Sequence, residues 1–130
     1  MKSFEPIYKE LEELFIHNLP DYIEKINRNY NDGILIKKFE NRTLDEDCIK
    51  KPCFKFSLED SEYSEKDRIV ENTIYTVSIE LKLQPNIELR PIIFSRYSEA
   101  IALIIQKDDM WIDCKITNSK GNKIVMRITV

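Results

Sequence analysis

Three cysteines and one histidine are the side chains of this chain best suited to bind a metal ion. The cysteines are Cys48, Cys53 and Cys114, and the histidine is His17. Zinc sites usually combine two close pairs of ligands, whereas Cys48 and Cys53 have four residues between them and no second pair follows. The odd number of cysteines and the lack of a secretion signal favour reduced thiols. We therefore predict small, partly buried cysteines that hold no metal.

The sequence contains no recognisable catalytic motif. The two glycines, Gly33 and Gly121, lie far apart, so no glycine-rich loop can surround a phosphate, and no Gly-x-Ser-x-Gly motif is present. His17 is predicted at the end of the first helix, where its charged form would interact favourably with the helix dipole. Because no motif supplies a nucleophile for His17 to activate, we predict a protein that is not an enzyme and uses no cofactor.

Acidic clusters provide the remaining ligands of possible chemical interest. They lie at residues 45–47, 59–60 and 108–109. None has the alternating spacing and the glycine of an EF-hand loop. Two carboxylates could also hydrolyse a glycosidic bond, but that reaction needs a substrate cleft, and the aromatic residues occupy mostly core-like positions. We predict that these clusters are solvated loops.

The composition is typical of one globular domain that spans residues 1–130. The chain is 42% hydrophobic and 33% charged, which is a balance that can support a core. A net charge of -3 argues against specific nucleic-acid binding by bulk attraction. The N-terminal sequence MKSFEPIYKE carries charges where a signal peptide needs an apolar run, and no apolar stretch is long enough to span a membrane. We expect neither nucleic acid nor membrane as a partner.

The N-terminal region is predicted to be helical. Apolar residues recur at helical spacing in residues 4–17 and again in residues 18–34, NLPDYIEKINRNYNDGI. The second segment has Pro20 in its first turn and a stop at Asn31 to Gly33. Pro20 is expected to stop or kink the first helix, so the second segment is either a separate helix or a bent continuation.

Alternating apolar and polar residues predict three strands in the middle of the chain. They are residues 34–40 (ILIKKFE), 53–59 (CFKFSLE) and 73–83 (TIYTVSIELKL). In the last of these, one face consists of Tyr75, Val77, Ile79, Leu81 and Leu83. The second and third strands are expected to form an antiparallel hairpin, with the charged segment 59–72 as the exposed connection between them.

The C-terminal third predicts one helix and a second hairpin. The helix is expected from Pro91 to Gln106, and the hairpin strands are WIDCKIT (residues 111–117) and KIVMRITV (residues 123–130), with Gly121 in the turn. These elements predict an α+β fold. Its sheet is expected to be mixed, largely antiparallel and of about five strands, with the N-terminal helices and one central helix packed on one face.

Two of these segments resemble a family of phage proteins. NLPDYIEKINRNYNDGI resembles the start of small proteins encoded in the structural gene clusters of tailed phages and prophages. TIYTVSIELKL, followed by RYSEAIALIIQ and a terminal hairpin, is similar to the layout of phage tail terminator (tail-completion) proteins. The layout covers most of the chain and involves no catalytic motif. Because two short N-terminal helices are expected where that family has one, a related head–tail joining protein of the neck is the neighbouring alternative.

The resemblance implies a structural protein that forms a ring, commonly a hexamer, at the head-proximal end of the tail tube. Its partners would be further copies of itself, the tail tube protein and the head–tail connector protein. It would be located in the virion tail or neck, and in the bacterial cytoplasm during assembly. Ring contacts of this kind join two different patches on each protomer.

The charged connection, residues 59–72, is the candidate interface. It contains six acidic and two basic residues. One interpretation is that this segment is a solvated loop with no function. The other is a projecting tip that contacts a neighbour or the tail tube through Tyr63, Ile69 and Val70, with charges such as Arg68 at its rim. At the level of function, a small ligand-binding or enzyme domain and a host protein-interaction module are the alternatives to the phage protein.

Overall fold

The computed structural model describes residues 4–66, 69–119 and 122–130, and its fold is α+β. The elements are, in chain order, α1 (Phe4–Glu12), a π-helical segment (Glu13–Asn18), α2 (Leu19–Tyr30), β1 (Cys53–Lys66), β2 (Ile69–Lys82), α3 (Arg90–Gln106), β3 (Asp113–Ser119) and β4 (Lys123–Thr129). The predicted α+β class and the predicted helix from Pro91 to Gln106 are confirmed.

The N-terminal helical region is continuous from α1 through the π-helical segment to α2. Pro20 lies in the first turn of α2 and has no N–H group to donate. Immediately before it, the N–H group of Leu19 donates to the carbonyl of Leu14, five residues earlier. This π-type hydrogen bond shifts the bonding pattern by one residue, as single-turn π segments do inside α-helices. The helix therefore continues past Pro20, and the separate second helix is not formed.

The helical region ends at the predicted stop. Asn31 adopts the left-handed conformation, with φ of 44°, and its N–H group donates to the carbonyl of Asn27 over 3.1 Å. Gly33 follows with φ of 82°, a conformation that glycine adopts without steric cost. The chain then turns away from the helix axis into a long irregular segment.

The strand predicted at residues 34–40 is wrong, because this segment has no regular secondary structure. Side chains bind its backbone instead of a neighbouring strand. The amide of Asn27 exchanges two hydrogen bonds with the backbone of Ile36, of 3.0 and 2.9 Å. The hydroxyl of Tyr97 donates to the carbonyl of Lys37 over 2.6 Å and accepts from its N–H group over 3.1 Å. With its polar groups satisfied in this way, the segment needs no strand partner.

The sheet has four strands rather than about five, and every pairing is antiparallel rather than mixed. The spatial order is β1-β2-β4-β3. The predicted pairing of residues 53–59 with residues 73–83 is confirmed, with Phe56 opposite Ile79 and Phe54 opposite Leu81. The C-terminal hairpin is confirmed by the β3–β4 ladder, although Gly121 lies outside the described residues.

The core lies between the helices and one face of the sheet. The predicted apolar face of β2 is buried throughout, and it joins the buried side of α3 in a single cluster. That side of α3 includes Ile93, Tyr97, Ala100, Ile101 and Ile104. The predicted helix on one sheet face is therefore present. The first strand of the C-terminal hairpin begins at Asp113 rather than at Trp111, so Ile112 precedes it and is exposed.

The connection predicted at residues 59–72 is largely strand. β1 continues to Lys66 and β2 already begins at Ile69, so each strand has 14 residues. The sequence of this extension is mostly polar and shows no alternation of apolar and polar residues. Two β-bulges, between Leu58 and Asp60 and between Ser64 and Glu65, also shift the alternation by one residue.

Candidate functional site

The β1–β2 hairpin extends beyond the rest of the sheet. The β2–β4 ladder ends where Ile74 pairs with Thr129, and Thr73 then exchanges two backbone hydrogen bonds with Val130, of 3.0 and 2.9 Å. In the described part of the chain, residues 69–72 pair with β1 alone. At 3.3 Å per residue they extend about 13 Å past the sheet. We call residues 63–66 and 69–72 the arm.

Three of the four predicted interface residues belong to this arm. Tyr63 pairs with Thr73 at its base and is 50% exposed. Ile69 and Val70 belong to β2, opposite Lys66 and Glu65. Arg68 lies outside the described residues.

Ion pairs fix the root of the arm to β4. Glu59, the extra residue of the first bulge, accepts a 2.6 Å hydrogen bond from the hydroxyl of Ser78 and lies 3.5 Å from the Nζ atom of Lys123. The hydrogen bond, followed by the charge of Lys123, lowers the pKa of Glu59. Glu62 pairs with Arg127 over 2.9 Å. The arm therefore leaves the sheet in a direction that charge-assisted bonds constrain.

A second candidate site, which the sequence did not reveal, lies at the opposite end of the same hairpin. It is a cleft of about 320 Å³ beside the start of β1 and the end of β2. Its walls are residues 33–37, Pro52, residues 83–84 and 87–89, Ile93 and Tyr97. No periodic pattern marks it, because its walls come from two irregular segments and the first turns of α3.

The cleft exposes apolar side chains on a fixed frame. Leu35 is 66% exposed and Leu89 is 51% exposed. Behind them, the buried guanidinium of Arg96 pairs with Asp32 and donates to the carbonyl of Ile34 over 2.7 Å. It also lies 4.0 Å from the ring centroid of Tyr30. These contacts hold the wall formed by residues 33–37 against α3.

Leu89 has an unfavourable backbone conformation at the rim of the cleft. Its φ of 55° and ψ of 38° are left-handed, a region that costs a residue with a Cβ atom about 1–2 kcal/mol. It occupies the N-cap of α3 without a capping side-chain hydrogen bond. Strain of this kind, borne by an exposed apolar residue, is more common at binding sites than elsewhere.

No family model, curated protein or solved structure matches this chain. The resemblance to tail terminators therefore stays a prediction, and the functional argument depends on the arm and the cleft. Among the described residues, no helix is long and apolar enough to cross a membrane.

The prediction of three reduced cysteines is wrong for two of them. Cys48 and Cys53 form a disulfide with their Cα atoms 5.8 Å apart. The irregular segment before β1 curves back at this point, where the backbone N–H group of Glu40 donates to the carbonyl of Pro52 over 2.9 Å. That return brings the two side chains together. Cys114 is free, and burial raises its pKa to about 12, which keeps the thiol protonated and unreactive.

His17 and the acidic clusters are not brought together. His17 lies within the helical region rather than at its end, so the predicted dipole interaction is wrong, and its Nε2 atom is 3.8 Å from Glu13. Within residues 4–66, 69–119 and 122–130, no group of three or more histidine, cysteine or acidic residues has a metal-binding arrangement. The hydrogen bond that protonated Glu10 donates to Asp108 raises the pKa of Glu10 to about 7.

Proposed function

We propose that this chain is a structural phage or prophage protein that caps or joins the tail tube at the head–tail interface, as a ring. The arm is the observation that carries this proposal. A two-stranded ribbon without further partners is only marginally stable in water, so a ribbon that projects past its sheet gains stability when it contacts another surface. The similarity in layout to tail terminator proteins suggests which surface that is: a neighbouring subunit or the tail tube.

The chemistry of the arm fits a protein contact. Tyrosine is enriched at interface hot spots, and Tyr63 stands half exposed at the base of the arm. The connection around it carries six acidic and two basic residues, which would set orientation and partner choice more than affinity. The partners on this proposal are further copies of the chain, the tail tube protein and the head–tail connector. Capsid, portal and tail-tube genes beside its gene would support the same assignment.

Shortening the arm tests the proposal. Residues 64–72 are replaced by Asn-Gly, which joins the paired residues Tyr63 and Thr73 by a two-residue hairpin turn. We expect the shortened protein to fold, because the bonds of Thr73 to Val130 and of Glu62 to Arg127 are kept. In the phage or prophage that carries the gene, we expect infectious tails to fall by about 100-fold or more, the loss that follows when an interface anchor is removed.

Two single substitutions in β1 provide the matched control. Tyr63→Ser removes the exposed anchor at the base of the arm, and Leu58→Ser removes a side chain of similar exposure, 44%, nearer the middle of the strand. We expect Tyr63→Ser to reduce tail completion by about tenfold and Leu58→Ser to leave it unchanged. Normal tube lengths in electron micrographs and normal infectivity with the shortened arm would refute the proposal.

A further inference from the structure

We propose that β3 pairs with β3 of a second copy of this chain, antiparallel and across a two-fold axis at Cys114, so that two four-stranded sheets join into one. The contact uses neither the arm nor the cleft, and it goes beyond the proposed function. It assigns a partner to the strand at the edge of the sheet opposite β1.

The outer edge of β3 carries backbone groups that point away from the sheet. Thr73 and Val130 exchange hydrogen bonds between β2 and β4, so the alternate residues of β4, beginning with Thr129, bond to β3. The N–H and C=O groups of Cys114 and Ile116 therefore face outward. Within the described part of the chain no hydrogen bond reaches them. This edge is a template for a further strand.

The edge of β1 is protected, in contrast. The side-chain amide of Asn41 binds both the N–H group and the carbonyl of Phe54, over 2.9 Å each. Further along, the carboxylate of Asp60 accepts a 2.9 Å hydrogen bond from the N–H group of Ser61. β3 has no such side-chain bonds in the residues that the structure describes. Its protection is the charge of Lys115, which opposes any partner strand that brings no negative charge.

The charges on β3 favour a second copy as that partner and select its register. Asp113 and Lys115 lie two residues apart on one face of β3, and Lys115 is opposite Arg127, a like charge. An antiparallel copy centred on Cys114 places Asp113 of each copy opposite Lys115 of the other, which forms two pairs of opposite charge. With the axis one residue later, at Lys115, two lysines would be opposite each other. Charge complementarity thus favours the axis at Cys114.

The apolar residues agree with this register. Ile112 directly precedes β3 and is 73% exposed. With the axis at Cys114, it lies opposite Ile116 of the second copy, which is half-buried in each monomer. Apolar cross-strand pairs of this kind stabilise a sheet. Because the paired segment, residues 112–116, is much smaller than a standard interface, we expect a weak dimer whose population rises with protein concentration.

Charge reversal in the full chain tests the contact. Asp113→Lys and Lys115→Asp each place like charges opposite each other in the dimer, so we expect either variant alone to dimerise about tenfold or more weakly than the parent. In an equimolar mixture of the two variants, both pairs of opposite charge form again. We expect that heterodimer to match the parent's dimer within about threefold. Sedimentation equilibrium at up to about 1 mM measures the homodimers, and native mass spectrometry resolves the heterodimer.

Two matched controls make the same substitutions elsewhere. Asp47→Lys and Lys50→Asp reverse exposed charges in the irregular segment before β1, and both should leave dimer formation unchanged. Thermal unfolding followed by circular dichroism checks that each variant is folded. The protein with the shortened arm retains β3 and should dimerise like the parent, so this test is independent of the proposed function.

Hydrogen exchange on the unsubstituted chain gives a second measurement that no folding defect affects. The amides of Cys114 and Ile116 should exchange about tenfold more slowly at about 1 mM than at about 10 µM, because they are hydrogen-bonded only in the dimer. The amide of Phe56, two residues after Phe54 on the edge of β1, is the control and should not change. A parent that stays monomeric to about 1 mM, single variants that dimerise like the parent, or exchange at β3 that is independent of concentration would overturn the inference.

Discussion

At the scale of single residues, two side chains take over the role of a strand. Asn27 on α2 and Tyr97 on α3 bind the backbone of the segment that leads from the helical region to the sheet. Because each side chain satisfies both an N–H group and a carbonyl, the segment is held in place without a ladder. The same bonds position Leu35 at the mouth of the cleft, so the local chemistry and the candidate site depend on each other.

Asn27→Ala tests this role. The substitution leaves the N–H group and the carbonyl of Ile36 without their partners in a partly buried place, and we expect a loss of about 2–3 kcal/mol in the free energy of unfolding. Asn118→Ala, at an exposed position of β3, is the control and should cost less than about 0.5 kcal/mol. Urea unfolding followed by circular dichroism measures both. Equal midpoints would show that the side-chain bonds do not hold the segment.

At the scale of elements, the sequence correctly predicted the helices and strands that have one buried face and one solvent-exposed face. Residues 73–83 and α3 have this pattern, and their buried residues follow it. Residues 34–40 have a strand-like pattern too, but their backbone bonds go to side chains that are distant in sequence. The arm shows the opposite error: it is strand, but its mostly polar sequence has no period of two.

The candidate site was predictable only in part, for the same reason. Tyr63 could be found because an aromatic residue in an acidic stretch is conspicuous. The cleft could not, because Leu35 and Leu89 come together only after the chain has folded. A leucine at position 89 does not indicate a positive φ, whereas a glycine or an asparagine there would have done so. The disulfide was not predicted because no sequence motif indicates that the irregular segment before β1 curves back and brings Cys48 to Cys53.

The dependence of the core on α3 gives a prediction at this scale. Ile101 is fully buried, and Ile101→Asp would place an unpaired charge between the helix and the sheet. We expect a loss of about 4 kcal/mol or more, enough to abolish cooperative thermal unfolding. Ile92→Asp is the control, since Ile92 lies exposed on the same helix, and it should cost less than about 1 kcal/mol. A variant with Asp at position 101 that melts like the parent would contradict this placement of α3.

At the scale of the whole molecule, the carboxyl groups fall into two classes that respond to pH in opposite directions. Asp32 beside Arg96 and Glu59 beside Ser78 have lowered pKa values, so they contribute stability above their unfolded pKa near 4 and lose it as the pH falls. Glu10 behaves differently. Its hydrogen bond to Asp108 links α1 to the segment after α3 and holds a proton, and burial and the charges of Asp108, Glu13 and Asp109 add to this effect.

Glu10 should therefore make the protein less stable as the pH rises through neutrality. Its pKa is 4.5 when unfolded and about 7 when folded, so between these values the folded state binds the extra proton. The free energy of unfolding consequently falls as the pH rises from 4.5 to 7. Glu10→Gln keeps an uncharged hydrogen-bonding group, so this variant should match the parent near pH 4.5. Above pH 7 it should be more stable by about 1–2 kcal/mol, a figure reduced because water reaches both carboxyl groups.

Asp108→Asn should remove most of the same pH dependence, because it removes the first cause of the raised pKa of Glu10. Glu40→Gln, an exposed residue of the irregular segment, changes the net charge equally and serves as the control. Subtracting the parent's free energy of unfolding at each pH isolates the contribution of Glu10, because the carboxyl groups near Arg96 and Ser78 are the same in every variant. If the difference between Glu10→Gln and the parent is flat from pH 4.5 to 8, then Glu10 and Asp108 do not share a proton. The contact between α1 and the end of α3 would then have to depend on apolar packing alone.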